Sequence, residues 1–287
     1  MRKNYSTFPP VVGLMLLVLA GAANNSLGQK LKPEEIVARH LESLGSLDAR
    51  AAVKSRVAQG GVVTSIRIGG SGQSRGGAVL ASQQEKSLIG LIFGPQDFAN
   101  EKMAYDGNKL TVGEARPGVR TRFGQFLLSH DILFKEGLMG GTLSSAWPLL
   151  NVPERLPKLR YSGTKKIDGR PAHVLEYEPR SGGNLDIKMY FDAETFQHVR
   201  TEYEQVFSAP AVSRPEDAAR QKETRFRLTE EFSDYRKEGG INLPHTYRLQ
   251  FTVDAPNNPV VQDWVVSLNQ FLFNKDLDAK QFDVNAK

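Results

Sequence analysis

Ser74 lies in Gly72-Gln73-Ser74-Arg75-Gly76, which matches the G-x-S-x-G of a hydrolase nucleophile elbow. That chemistry needs the serine strained on a sharp turn between a buried strand and a helix. Here the serine falls in a glycine-rich tract between extended segments, and a loop is the expected setting. The five histidines, His40, His130, His173, His198 and His245, lack the paired helical spacing of a metal site, although neighbouring strands could set His173 opposite His198. Glu176, Glu178, Glu202 and Glu204 alternate along extended segments with Lys188 and Arg200 nearby, a pattern that cross-strand ion pairs explain. Neither G-x-x-x-x-G-K-[ST] nor G-x-G-x-x-G opens a helix after a strand. No catalytic residue, metal or cofactor is expected, and the chain reads as a non-enzyme.

Arg116, Arg120 and Arg122 offer a different chemistry. They immediately precede an apolar stretch containing Phe123, Phe126, Leu127, Leu138, Met139 and Trp147. Cations adjoining grease fit the mouth of a site for an amphiphile with an anionic head. These three arginines are the expected headgroup contacts.

Something must present that grease. LDIKMYF at 185–191 and YRLQFTV at 247–253 carry large apolar side chains at alternate positions: Leu185, Ile187, Met189 and Phe191, then Tyr247, Leu249, Phe251 and Val253. Alternation with period two makes each a strand with one apolar face. Each large side chain is worth roughly 1.5–3 kcal/mol when buried, against a net stability of about 5–15 kcal/mol, so the face must be covered.

Hairpin signals recur along the chain, at Gly60-Gly61, Gly69-Gly70-Ser71-Gly72, Gly90, Asp106-Gly107-Asn108, Asp168-Gly169, the Asp192 to Thr195 turn and Gly239-Gly240. They predict ten or eleven antiparallel strands, beginning near Ala49 and ending with 264–273. Two helical regions interrupt the pattern. KPEEIVARHLESL at 32–44 has Pro33 and two glutamates in its first turn, a stripe of Ile36, Val37, His40, Leu41 and Leu44, and Gly45 as a stop. An insert at about 120–150 has helical spacing at 123–134 and 142–150, with Gly137, Gly140 and Gly141 between as a hinge for a lid. Polar excursions are expected at 208–221 and 254–259.

The bulk numbers agree with one soluble domain: 287 residues, 40% hydrophobic and 24% charged. Arg2 and Lys3, the apolar run at 11–23 and small residues before Gln29 predict a signal peptide at 1–28, with cleavage after Gly28 or near Ala22. Its removal takes two of the five net positive charges and leaves +3, too mild for a nucleic-acid partner. The chain has no cysteine, hence no lipid anchor of its own. The expected place is the periplasm, with peripheral rather than integral membrane contact.

Two sequence elements carry a family resemblance. Tyr190, Phe191, Asp192, Thr195 and Arg200 stand in the order Y-F-D-x-x-T-x-x-x-x-R, and FSDYR at 232–236 is followed by Gly240, Ile241, Leu243 and Pro244. With the helix, hairpins and insert, this resembles the LolA/LolB-like superfamily of periplasmic lipoprotein-sorting proteins. The resemblance implies a strongly curved, incomplete antiparallel β-barrel over 29–287, with an N-terminal helix and a helical lid. It also implies an apolar interior for acyl chains or lipidated proteins, lined here by Ile187, Met189, Phe191, Tyr247, Leu249, Phe251 and the insert residues named above. The alternative reading is an envelope protein-interaction module of the same fold, with a packed interior and no lipid cargo.

Overall fold

In the computed structural model, the described residues are 1, 31–67, 71–94, 98–207, 223–255 and 259–286. Residues 2–28 of the expected signal peptide, residues 69–70 of the expected turn at 69–72, the excursion at 208–221 and residues 256–258 of that at 254–259 lie outside them. Met1–Lys30 and Leu31–Lys287 are separate units, and the second is described here.

Helix α1 (Pro33–Leu44) starts where expected: Pro33 occupies the first turn and Glu35 accepts a hydrogen bond at 2.8 Å from the Lys32 backbone N–H. It buries Ile36, Val37, His40 and Leu44. A second short helix, α2 (Leu47–Ala52), follows where strand was expected. Ser46 caps it by accepting from the Ala49 N–H at 3.2 Å, a local signal that outweighs the extended pattern beyond.

The rest is one antiparallel sheet of twelve strands: β1 (Ser55–Arg67), β2 (Ser71–Gln83), β3 (Lys86–Phe93), β4 (Glu101–Tyr105), β5 (Leu110–Val112), β6 (Lys158–Ile167), β7 (Arg170–Glu178), β8 (Asp186–Asp192), β9 (His198–Phe207), β10 (Thr224–Glu238), β11 (Ile241–Asp254) and β12 (Val260–Phe273). The order is β5-β4-β3-β2-β1-β12-β11-β10-β9-β8-β7-β6, two meanders joined where the first strand pairs with the last. β5 and β6 form the two edges and do not pair with each other. The insert between them, with α3 (Arg122–Ser129), α4 (Ile132–Lys135) and α5 (Val152–Arg155), touches both halves. Its Ser145 N–H donates to Ser82 on β2 at 2.8 Å, and its Glu136 accepts from Tyr177 on β7 at 2.6 Å. A sheet that reaches one insert from both ends is curled around it, and the fold is an incomplete barrel.

Two expected breaks are not turns. β1 runs through Gly60-Gly61, and β3 runs through Gly90. Gly60 sits at a bulge in the β1–β12 register, where a Cβ would lie 1.9 Å from the Ser267 carbonyl oxygen. The glycine is there for close backbone approach, a bulge that tightens the curl. Ser74 likewise lies inside β2, not in a loop, with no helix following it. In the insert, helix is shorter than the spacing predicted: beyond α4 the chain takes 3-10 turns at Gly141–Leu143 and Pro148–Asn151.

One substitution pair reads the bulge directly. Gly60→Ala is expected to cost at least about 1–3 kcal/mol in urea unfolding. Gly61→Ala, whose Cβ meets nothing closer than 3.9 Å, should leave the midpoint within error. Equal midpoints for the two variants would remove the bulge from this account.

Candidate functional site

The twelve apolar residues expected to line an interior are all buried: Ile187, Met189 and Phe191 from β8, Tyr247, Leu249 and Phe251 from β11, and Phe123, Phe126, Leu127, Leu138, Met139 and Trp147 from the insert. They belong to one continuous core, in which sheet and insert pack on each other. Phe123 lies against Phe251 and Trp264, with ring centres 5.6 and 4.9 Å apart. The insert itself fills the inside of the curl.

The glycines of the insert serve this packing. Gly140 and Gly141 adopt φ of +80° and +47°, and a Cβ on Gly141 would stand 2.6 Å from the Phe232 ring. Left-handed backbone and close approach both require glycine there.

Polar groups inside the core fix the insert. Glu230 on β10 is fully buried, with Tyr247 donating to its Oε1 at 2.6 Å, the Gly140 N–H to the same oxygen at 2.8 Å, and Tyr203 2.7 Å from Oε2. Burial raises its pKa, opposed by these hydrogen bonds. Tyr203 also stands 3.3 Å from the Leu138 carbonyl oxygen. Its hydroxyl thus donates to Glu230 Oε2, with the Leu138 carbonyl oxygen as a second, more distant acceptor.

At the opposite end of the insert, Trp147 donates its indole N–H to His40 Nε2 at 3.1 Å, and His40 Nδ1 meets the Phe196 carbonyl oxygen at 3.0 Å. Nδ1 therefore carries the proton and the ring is neutral; burial lowers its pKa to about 4. His198 stacks on Trp147 at 4.7 Å, and its pKa is held well below the usual value by burial and then by His40. Arg56 on β1 donates to the Thr142 carbonyl at 2.6 Å, with burial lowering its pKa to about 10. His173 does not face His198 as partner; it meets the Tyr161 hydroxyl at 3.1 Å. Among the described residues no three metal-ligating side chains converge. The strand carboxylates pair outward, Glu178 with Lys158 at 2.9 Å and Glu204 with Arg227 at 2.8 Å.

The three arginines sit on the loop before α3 and at its start. Arg116 and Val119 bridge across a tight turn, Arg120 pairs with Glu114 at 3.4 Å, and Arg122 is the first residue of α3. Arg122 lines a cleft of 340 Å³ at the α3 end of the sheet–insert contact. Phe126, Phe226 and Phe207 form its aromatic wall, and Gln205 and His130 supply polar groups. A larger depression of 480 Å³ at β6–β8 carries more charge, but its Lys158, Glu178, Arg160 and Glu176 are already paired with one another.

Sequence reasoning passed over Glu230, Gln205 and Glu101. The signal was available, since each takes an inward position between apolar ones: Leu228-x-Glu230-x-Phe232, Tyr203-x-Gln205-x-Phe207 and Glu101-x-Met103-x-Tyr105.

No family model matches the sequence, and no curated protein matches it. Among solved structures, the chain is similar to a LolA superfamily protein from Nitrosomonas europaea at 12% identity and a TM-score of 0.47, covering 88% of this chain and 97% of that one. It is also similar to a DUF1329 family protein from Desulfovibrio piger at 14% identity and 0.40, with 89% and 99% covered. A putative outer membrane lipoprotein-sorting protein domain from Vibrio parahaemolyticus gives 11% and 0.39, with 88% and 98% covered.

The buried carboxyl groups make stability depend on pH. Burial pushes Glu101 up to about 8, against the hydrogen bond from Thr121 at 3.0 Å. From its unfolded value near 4.5 up to about 8, the folded state holds the extra proton, so stability falls as pH rises. His40 works the other way, its contribution growing from pH 4 and complete above its unfolded 6.5. Between pH 6.5 and 8 the carboxyl loss stands alone. The melting temperature should fall across that window in the wild type and fall less in Glu101→Gln; an identical slope in both would reject the assignment.

Proposed function

We propose that the chain is a non-enzymatic carrier or sensor of the periplasm that takes acyl chains or lipidated proteins between its curved sheet and the 120–150 insert. The mature protein is residues 29–287, a single domain released by cleavage after Gly28. The observation that carries this reading is the cleft at the α3 end, where an aromatic wall of Phe126, Phe226 and Phe207 adjoins the cation of Arg122. It is the junction of grease and positive charge that an anionic amphiphile needs. The apolar residues of β8, β11 and the insert continue inward from it as one core. A longer chain follows that path only when insert side chains give way, which makes the insert a lid as well as a filling.

One observation favours a second reading. Leu127, Leu138, Met139 and Trp147 are buried against the sheet. A protein whose interior is complete can work as an envelope interaction module, meeting a partner through its loops or sheet edge.

Native mass spectrometry of the purified mature chain separates the two. A co-purifying mass removed by solvent extraction, and uptake of a fluorescent fatty acid afterwards, support the carrier; a bare mass with no uptake supports the module. Replacing Arg116, Arg120 and Arg122 together with Ser is expected to weaken binding of an anionic lipid at least severalfold at an unchanged melting temperature. Unaltered affinity would remove these arginines from the headgroup role.

A further inference from the structure

The cleft at the α3 end contains more than grease and a charge. Its floor comes from inward positions of three strands, Gln205 and Phe207 of β9, Phe226 of β10 and Val253 of β11, and its roof from Arg122, Gln125, Phe126, Ser129 and His130. Gln205 pairs in register with Phe226, so its amide emerges beside the aromatic wall. The Phe126 and Phe226 rings stack at 6.1 Å, and Phe207 meets Phe226 edge-on at 5.7 Å.

Gln205 is only 5% exposed, and its Oε1 is buried with no hydrogen-bond partner. Buried side-chain oxygens are seldom left this way in a folded protein. Across the cleft, His130 has Nδ1 engaged with the Phe126 carbonyl oxygen at 2.8 Å, which leaves Nε2 as its remaining polar atom. Among the described residues lining the cleft, Arg122 is the charged one. A ligand that fits therefore has an apolar tail for the rings, a negative group for the rim, and a polar hydrogen for Gln205. A hydroxyl meets the last need in either rotation of the amide, because it both donates and accepts.

Volume sets the tail. A water in the liquid takes roughly 30 Å³ and a methylene is of similar size, so 340 Å³ holds a chain on the order of ten carbons. We propose that the cleft is a site for one medium-length, single-chain hydroxylated fatty acid. Its carboxylate lies toward Arg122, its hydroxyl bonds Gln205, and its tail runs along Phe126 and Phe226. This rests on the carrier reading above and narrows its substrate class.

The experiment compares 3-hydroxydecanoate, decanoate and a diacyl phosphatidylglycerol by isothermal titration on the delipidated mature chain, for the wild type and Gln205→Leu. The expected result is that the wild type binds 3-hydroxydecanoate at least about tenfold more tightly than decanoate, and that Gln205→Leu erases the difference while keeping decanoate. Equal affinity of the wild type for the two acids, or a preference that survives in Gln205→Leu, overturns the proposal and leaves the carrier reading standing. So does binding of the diacyl lipid alone. Failure of all three lipids to bind overturns both. Should Gln205→Leu fold poorly, Gln205→Glu gives a second readout: a carboxylate beside the bound acid is expected to weaken both acids at pH 8, and undiminished binding overturns the site.

Discussion

A single carboxyl group, buried under the curl of the sheet, joins four parts of the molecule. Glu230 of β10 is bonded to Tyr203 of β9, Tyr247 of β11 and the Gly140 N–H of the insert. Three neighbouring strands are thereby fixed to the segment that fills them. Burying a carboxyl is costly unless it is neutral and its hydrogen bonds are complete. The two tyrosines and the glycine N–H supply those hydrogen bonds. The cost of losing any one member is the exposure of the others as unpaired polar groups in a dry interior. Such a network specifies one position for the insert, where apolar packing alone would tolerate several.

The curl follows from the same constraint. Twelve strands with one apolar face have too much surface for two short helical segments lying on a flat sheet. Bulging at Gly60, in the middle of the sheet where β1 meets β12, lets the two meanders close around the insert. Tyr105 and Tyr177, from strands at opposite ends of the order, then belong to one core with Phe134 between them in the chain. The outer face carries a lattice of paired charges, Arg248 with Asp263 at 2.8 Å and with Glu231 at 3.2 Å, each worth little alone and serving solubility and register.

Period two carried most of this into the sequence. It placed the strands, the inward apolar set and the turns at Asp106-Gly107-Asn108, Asp168-Gly169 and Gly239-Gly240, because each depends on residues adjacent in the chain. It failed where glycine has two meanings. Gly60 and Gly90 look like turn residues, but their use is set by the Ser267 backbone and the Val79 side chain, which are brought near only by pairing. The length of the insert helices was overread for a related reason: 3-10 turns at Gly141–Leu143 obey contacts with Phe232 and His198, not local propensity. Glu230, Gln205 and Glu101 are legible by parity alone, because a polar side chain on an inward position breaks the apolar run without breaking its period.

The polar attachments of the insert are unevenly spread. Between 138 and 147 it is bonded to Glu230, Arg56, Ser82 and His40. Each bond is buried or half-buried, and breaking it strands a polar partner. Helix α3 instead meets the sheet through rings, Phe123 on Trp264 and Phe126 on Phe226 and Phe251, with Thr121 touching Glu101 at its start. The cleft, the unpartnered Gln205 amide oxygen and the cation of Arg122 lie at this α3 end.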